Sequence, residues 1–582
     1  MRYCRVWIVG ILLTAVTWSV YGAQTVKNPD TLVYARTGRG MVLDPAYAYD
    51  GPTLEMMIQV YECLIAYKDG AANEFVPLLA SQVPTVQNGL VSGDLLTYRF
   101  PIRKGVQFSN GSELTPEDVE YSFERVMVMD PTGGPIWMLL EMLLGVISTR
   151  DGEGGYTVTF KQIDKAVEVE GDMVVFHLAK PSPFFLQILA LPWCSIVDKE
   201  TVVSMGGWPG TEETWQDYNN LPPEKSVLRE TMIGTGPFVL ESWTPGVEAV
   251  FVRNENYWRE PPTLKRAIIK RVDEWSTRRL MLANGDADIV EVPHPFLSQV
   301  EAMEGVRVIK GLPLFTTYGI HFNQNIVVQD NQYVGSGKLD GNGIPPDFFS
   351  DINIRKAFSY AFNGKQYIQD VWSGDAIQLA SCIPKGMKYF DPNLEPYPYD
   401  PERAEYYFRK AFNGEVWDKG FRLTFLAMSG DEVSKAALEV LELGVESVNP
   451  KFHIDIQTLQ MGAFVQEILE HKAPVFAWAW TADFLDPHNF TQPYMHSTGF
   501  YAGAEGIKEY DDLVEQGGSM PDGQAREVIY RALQCLCHQD AISIFPAQPL
   551  AWHVERTWVQ GWYRFIPQWN LTYFYPLRKV ES

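Results

Sequence analysis

Apolar residues recur along this chain in two rhythms, strand alternation and helical spacing, in short stretches that succeed one another. TLVYAR, residues 31–36, predicts a short strand. In LDPAYAYDGPTLEMMIQVYECLIAY, Leu54, Met57, Ile58, Tyr61 and Leu64 or Ile65 fall on one helical face, so the loop before that helix presents Asp44, Tyr47, Asp50 and Gly51. LTYRFPIRKGVQFSNGSELTPEDVEYSFERVM predicts strand, Asn-Gly turn and capped helix: Thr115 as N-cap, Pro116 in the first position, Asp118 in the third, and Val119, Phe123 and Val126 facing inward. GTGPFVLESWTPGVEAVFVRNENYW predicts two strands around Pro245-Gly246, and TLKRAIIKRVDEWSTRRLMLANGDADIVE predicts strand, helix, glycine turn, strand. DINIRKAFSYAFNGKQYIQDVW predicts one helix and YDPERAEYYFRKAF another starting after Asp400-Pro401. Residues 206–230 are a polar connection, and residues 325–350, rich in Gly, Asn and Asp, a mobile flap or an insertion. Alternating strands and helices imply mixed α/β domains, with no internal repeat.

At 582 residues and 46% hydrophobic, the chain can bury large cores in about three to four domain-sized units. Its 72 acidic residues against 48 basic ones, a formal charge of -24, argue against nucleic acid as a partner. Residues 1–22 join a basic start, Arg2 and Arg5, to the apolar run WIVGILLTAV and a small-residue exit, the pattern of a signal peptide. Cleavage after Gly22 or Ala23 removes both arginines and takes the charge from -24 to -26. Cys4 precedes the apolar run and is no lipidation site. No other run has the length of a membrane span, so a secreted, periplasmic protein is expected. Five cysteines remain after cleavage, too few for a disulfide framework; one bridge among Cys63, Cys194 and Cys382 stays open, while Cys535 and Cys537 read as core residues.

Catalytic signatures are missing: no HExxH, no G-x-S-x-G, no phosphate loop and no CxxC. His488 and His496 flank a polar loop without a carboxylate at ligand spacing, a surface or capping pattern more than a metal site. No enzyme, cofactor or metal is expected. One stretch asks for a partner: AWTADFLDPHNF, residues 479–490, runs tryptophans and a phenylalanine up to Asp483 and Asp486, where a buried ionised carboxylate is costly unless something meets it.

Several segments together resemble the extracytoplasmic solute-binding proteins of peptide-type ABC importers, solute-binding protein family 5, whose members take oligopeptides, dipeptides or nickel. The matching residues are LDPAYAYDGPTLEMMIQVYECLIAY, YRFPIRKGVQFSNGSELTPEDVEYSFERVM, GTGPFVLESWTPG with VRNENYW, GDADIVE, HFN at 321–323, DINIRKAFSYAFN, IPKGM with DPNLEPYPYDPERAEYYFRKAF, and WTADFLDPHNF. Their order and spread over the mature chain carry the resemblance. It implies an α/β, two-lobed periplasmic-binding-protein fold (type II, cluster C) with a hinge and an extra subdomain in the first lobe. The first lobe would comprise 24–67, 220–315 and 546–582, with the subdomain at 68–219, and the second lobe 316–545. It further implies a monomer that encloses a peptide between its lobes and delivers it to ABC permease subunits in the inner membrane.

On this resemblance Asp483 meets the ligand's α-ammonium group and Trp480 walls the pocket. The alternative is a helix cap, preferred for Asp486, which directly precedes Pro487. Asp50, Gly51 and Pro52 resemble a segment that bonds to peptide main chain as an added strand would, and Tyr318 resembles a pocket aromatic near the crossing between lobes; hinge and packing roles stay open for both. Arg355 reads as structural. Where some peptide-binding members carry an arginine for the ligand carboxylate, this chain has Ala477 and Met428 to Asp431, which favours longer peptides over dipeptides. Oligosaccharide binding, nickel or haem uptake, a secreted hydrolase and a sensor without transport are the rival readings.

Overall fold

The computed structural model describes residues 26–71, 74–501, 507–565 and 570–580; the expected signal peptide at 1–22 lies outside the described residues. Two groups of strands meet on one long strand. In the first, Thr31–Arg36 runs parallel to Ile289–Val290 on one side and to Arg266–Arg271 on the other, and Glu248–Arg253 and Phe238–Thr244 continue antiparallel to the edge. In the second, Phe421–Met428 runs parallel to Phe452–Leu459 and Val475–Thr481, with Thr316–Phe322 antiparallel to Val475–Thr481. Ser543–Arg556, 14 residues long, belongs to both: His321 pairs with Ser543 and Tyr318 with Ala547, while farther along Val306 pairs with Arg556 and Ile289 with Glu555. Each lobe therefore has its own sheet, and the lobes share a strand.

The two groups of strands cross over where Tyr318 pairs with Ala547 and Pro313 with Leu550. Gln548, wholly buried, donates to the Leu314 and Lys385 carbonyls (2.8 and 2.9 Å) and accepts from the Lys385 amide (2.8 Å), while the Leu314 amide donates to the Pro549 carbonyl (2.9 Å). A third unit, the antiparallel sheet of Thr97–Pro101, Met173–His177 and Val167–Glu170, packs under the helix Pro116–Met129. That helix starts as its sequence predicts, with a reciprocal capping box between Thr115 and Asp118, and it buries Val119, Phe123 and Val126.

Several expectations need correction. The helix after Asp50 ends at Val60, and Ile65–Tyr67 is a strand, so the apolar face does not continue to Leu64. DINIRKAFSYAFNGKQYIQDVW makes two helices, Ile352–Ala361 and Gly364–Trp372, because Asn363 caps the second through the Gln366 amide (3.2 Å). Residues 325–350, expected as a mobile flap or an insertion, are packed against the second group of strands: Tyr333, Val334, Ile344, Phe348 and Phe349 are buried, and the Thr424 amide donates to the Tyr333 carbonyl at 2.8 Å. All five described cysteines are free, the Cys63 and Cys194 thiols each donating to a carbonyl at 3.3 Å, and Cys535 is half-buried. Arg355 is structural, donating to the Asp540 and Phe349 carbonyls.

Candidate functional site

Asp483 lies between the strand Val475–Thr481 and the helix His488–Met495, and Asn489 in the first turn of that helix fixes the intervening segment. The Asn489 side-chain oxygen accepts from the Trp480 indole and from the Asp483 amide, both at 3.1 Å. Asp486 accepts from the His488 amide at 2.9 Å, as a cap would. Its larger engagement is a bidentate pair with Arg526 (2.7 and 2.8 Å), both side chains fully buried. Arg526 sits on the helix Gln524–Gln539, so this pair locks the segment to a second element.

From the other side of the cleft comes Tyr49, whose hydroxyl donates to Asp483 Oδ1 at 2.5 Å. The segment just before Tyr49 is tied to the helix Pro116–Met129 of the third unit. Asp44 pairs with Arg125 in a buried fork (2.9 and 2.5 Å) and accepts from Ser226; burial pushes its carboxyl up, but Arg125 and these hydrogen bonds outweigh that and hold it below the usual range. The Tyr49 ring stands edge-on to Trp193 at 5.7 Å. At Asp483 the balance runs the other way: burial raises the carboxyl, the hydrogen bonds with Tyr49 and Asn489 lower it, and the net shift is upward. Burial and the Asp483 carboxylate push the Tyr49 hydroxyl far above its ordinary value, so the phenol keeps its proton as donor.

Two chambers flank Asp483 and Trp480. One of about 410 Å³ is lined by Tyr49, Trp137, Trp478, Trp480, Asp483 and Tyr501 among others. The second, about 580 Å³, shares Trp137 and Trp480 as walls and extends over Met142, Phe184, Phe484 and His488. Phe184 lies parallel to Phe484 at 4.8 Å and to His488 at 5.2 Å, a second contact across the cleft. Burial pulls His488 down to about 4, so its ring is neutral at pH 7. Among the described residues lining the two chambers there is no lysine or arginine.

Asp483 and Trp480 thus share one chamber. Asp50, Gly51 and Pro52 do not line either chamber: the Asp50 carboxylate accepts from the Thr53 amide (2.9 Å) and hydroxyl (2.7 Å) as N-cap of the helix Gly51–Val60, in which Gly51 and Pro52 open the first turn. Tyr318 pairs with Ala479 and packs edge-on against Trp372 at 5.4 Å, outside both chambers; burial pushes its hydroxyl to about 12. Sequence reasoning missed Tyr49, Trp137 and Asn489. AYAYD and PIWMLL carry only the signal of packed aromatics, and Asn489 passes for a helix-start residue. Among the described residues, no group of three or more His, Cys, Asp or Glu can hold a metal ion, and no helix is long and apolar enough to cross a membrane.

Comparison with known proteins agrees with this architecture. The model of the bacterial extracellular solute-binding proteins, family 5, middle region, matches residues 74–502. Heme-binding protein A of Haemophilus influenzae is 24% identical over 538 residues, 88% of this chain and 86% of that protein. The Dipeptide-binding protein of Escherichia coli is 24% identical over 552 residues, 91% and 92% of the two chains. The ABC transporter-associated periplasmic binding protein DppA from Helicobacter pylori, solved in complex with the peptide STSA, has a TM-score of 0.67 at 21% identity and covers 95% of this chain and 98% of its own. The expected two-lobed α/β fold is the one that solved structure has.

Proposed function

This chain belongs to the bacterial extracellular solute-binding proteins of family 5, and on that premise we propose that it is the substrate-binding component of a peptide-type ABC importer. It captures oligopeptides in the periplasm, between its lobes, and delivers them to the permease subunits in the inner membrane; it binds its ligand and transforms nothing. The observation that carries this reading is the Asp483 carboxylate, only 9% exposed, set among Tyr49, Trp137, Trp480 and Tyr501 with no lysine or arginine among the described residues lining the chambers. A peptide's α-ammonium group is largely protonated at neutral pH, and a charge-assisted hydrogen bond in so dry a place is a strong one. The tryptophan faces add attraction for a cation. A ligand carboxylate finds no fixed cation along these walls, which favours peptides long enough to leave that end in water. The relatives named for dipeptides and the peptide-bound structure support the same class.

Calorimetry with a tetrapeptide and its N-acetylated counterpart tests this. The free peptide should bind and the acetylated one should not, and Asp483→Ala should weaken the free peptide by about 1.5–3 kcal/mol. Equal binding of both forms would remove the ammonium anchor. Haem uptake is a second reading, favoured by one observation: the neutral His488 ring lines the larger chamber beside flat apolar walls, and an imidazole can ligate haem iron. Haemin titration decides it, since that reading requires a shifted Soret band that is lost in His488→Ala.

A further inference from the structure

We infer that the chamber of about 580 Å³ is a side-chain pocket that selects peptides with a large apolar or aromatic residue at one of their first two positions. The inference rests on the peptide reading above. Trp137 and Trp480 wall both this chamber and the one containing Asp483, so a peptide anchored by its ammonium group at Asp483 sends a nearby side chain past these two rings. Beyond them the walls are Met142, Ile188 and Phe184 from one side of the cleft and Phe484 and Pro493 from the other. The polar groups there are already engaged or neutral. Glu141 accepts from Lys180 at 2.6 Å, Asn489 from Trp480 and the Asp483 amide, and His488 is uncharged at pH 7.

A charged or small side chain would leave these walls wet. A Phe, Leu or Trp side chain displaces that water and buries apolar surface of both lobes at once, so occupancy also favours the closed arrangement. Methionine walls accommodate differing apolar shapes, which predicts selection by size and polarity over one particular residue. Ile147, 70% exposed although large and apolar, lies at this chamber and extends its wall towards solvent.

The test uses the mature full-length chain and calorimetry with tetrapeptides that are alanine throughout except at position 1 or position 2, which carries Phe, Leu, Lys, Asp or Ala. Phe and Leu at one of these positions should bind about ten- to a hundred-fold more tightly than Ala, Lys or Asp there. Gln492 lines the chamber and is half-buried, so Gln492→Trp should fill it: the Phe peptide should lose about ten-fold in affinity and the all-alanine peptide less than about two-fold. The all-alanine peptide thus also reports that the variant is folded. Affinities within about three-fold across the series, or a preference for Lys, would overturn the pocket and leave the peptide reading intact. Failure of every peptide to bind would overturn both.

Discussion

Asp483 stands between opposing demands: burial favours its neutral form, and the Tyr49 hydroxyl with Asn489 favours the charged one. Burial wins, which fixes a sign. A carboxyl whose folded-state pKa lies above its unfolded value holds more protons folded than unfolded, so it costs stability at neutral pH and the cost fades as pH falls through the raised value towards 3.8. Asp483→Asn should therefore melt at a higher temperature than the wild type at pH 7, with the difference closing in acid, while peptide affinity is weakened at neutral pH. Parallel melting profiles at all pH values would count against this. Tyr49→Phe removes a hydrogen bond that lowers the Asp483 pKa, so the acid loss of peptide affinity should begin at higher pH than in the wild type, as affinity measured against pH will report. The sequence made Asp483 legible because a carboxylate between aromatic residues is locally anomalous. Tyr49 was illegible because its role depends on a partner 434 positions away.

Elements with local signals were read well. The capped helix Pro116–Met129, the hairpin around Pro245-Gly246 and the run from Arg266 to Val290 follow from caps, turns and periodicity within their own stretches. The glycines of GTGPF have a reason that only packing shows. A Cβ on Gly236 would lie 2.6 Å from the Val60 carbonyl oxygen, and the Gly236 amide donates to that same oxygen at 2.8 Å, so the chain grips the end of the helix Gly51–Val60 backbone to backbone. Gly236→Ala should cost roughly 1–3 kcal/mol, read by urea unfolding, as overpacking at a site with no flexible neighbour. Ser543–Arg556 escaped sequence reading because Pro546 and Pro549 argue against a central strand. The ladder tolerates Pro546 by shifting register between Ile544 and Ala547, so that its missing amide falls in the irregularity.

At the scale of the molecule the two lobes are joined where Gln548 binds three backbone groups of two neighbouring segments. Gln548→Ala should destabilise the protein by about 1–3 kcal/mol, because it strips buried polar groups of their partner, and should widen the spread of interlobe angles seen as a larger radius of gyration. An unchanged scattering profile would confine Gln548 to local packing. Peptide binding should shrink that radius in the wild type, since the chambers have walls from both lobes. The same crossing sets the order in which the protein can be made. The strand that completes both sheets is encoded after the two strands it joins, so during synthesis each lobe waits with a raw edge, at Thr316–Phe322 and at Ile289–Val290, until residues 543–556 emerge. Neither lobe can finish early and strand the other. A chain stopped before Ser543 should therefore lack protease resistance in both halves, and a late-arriving strand becomes the step that commits the whole molecule to its fold.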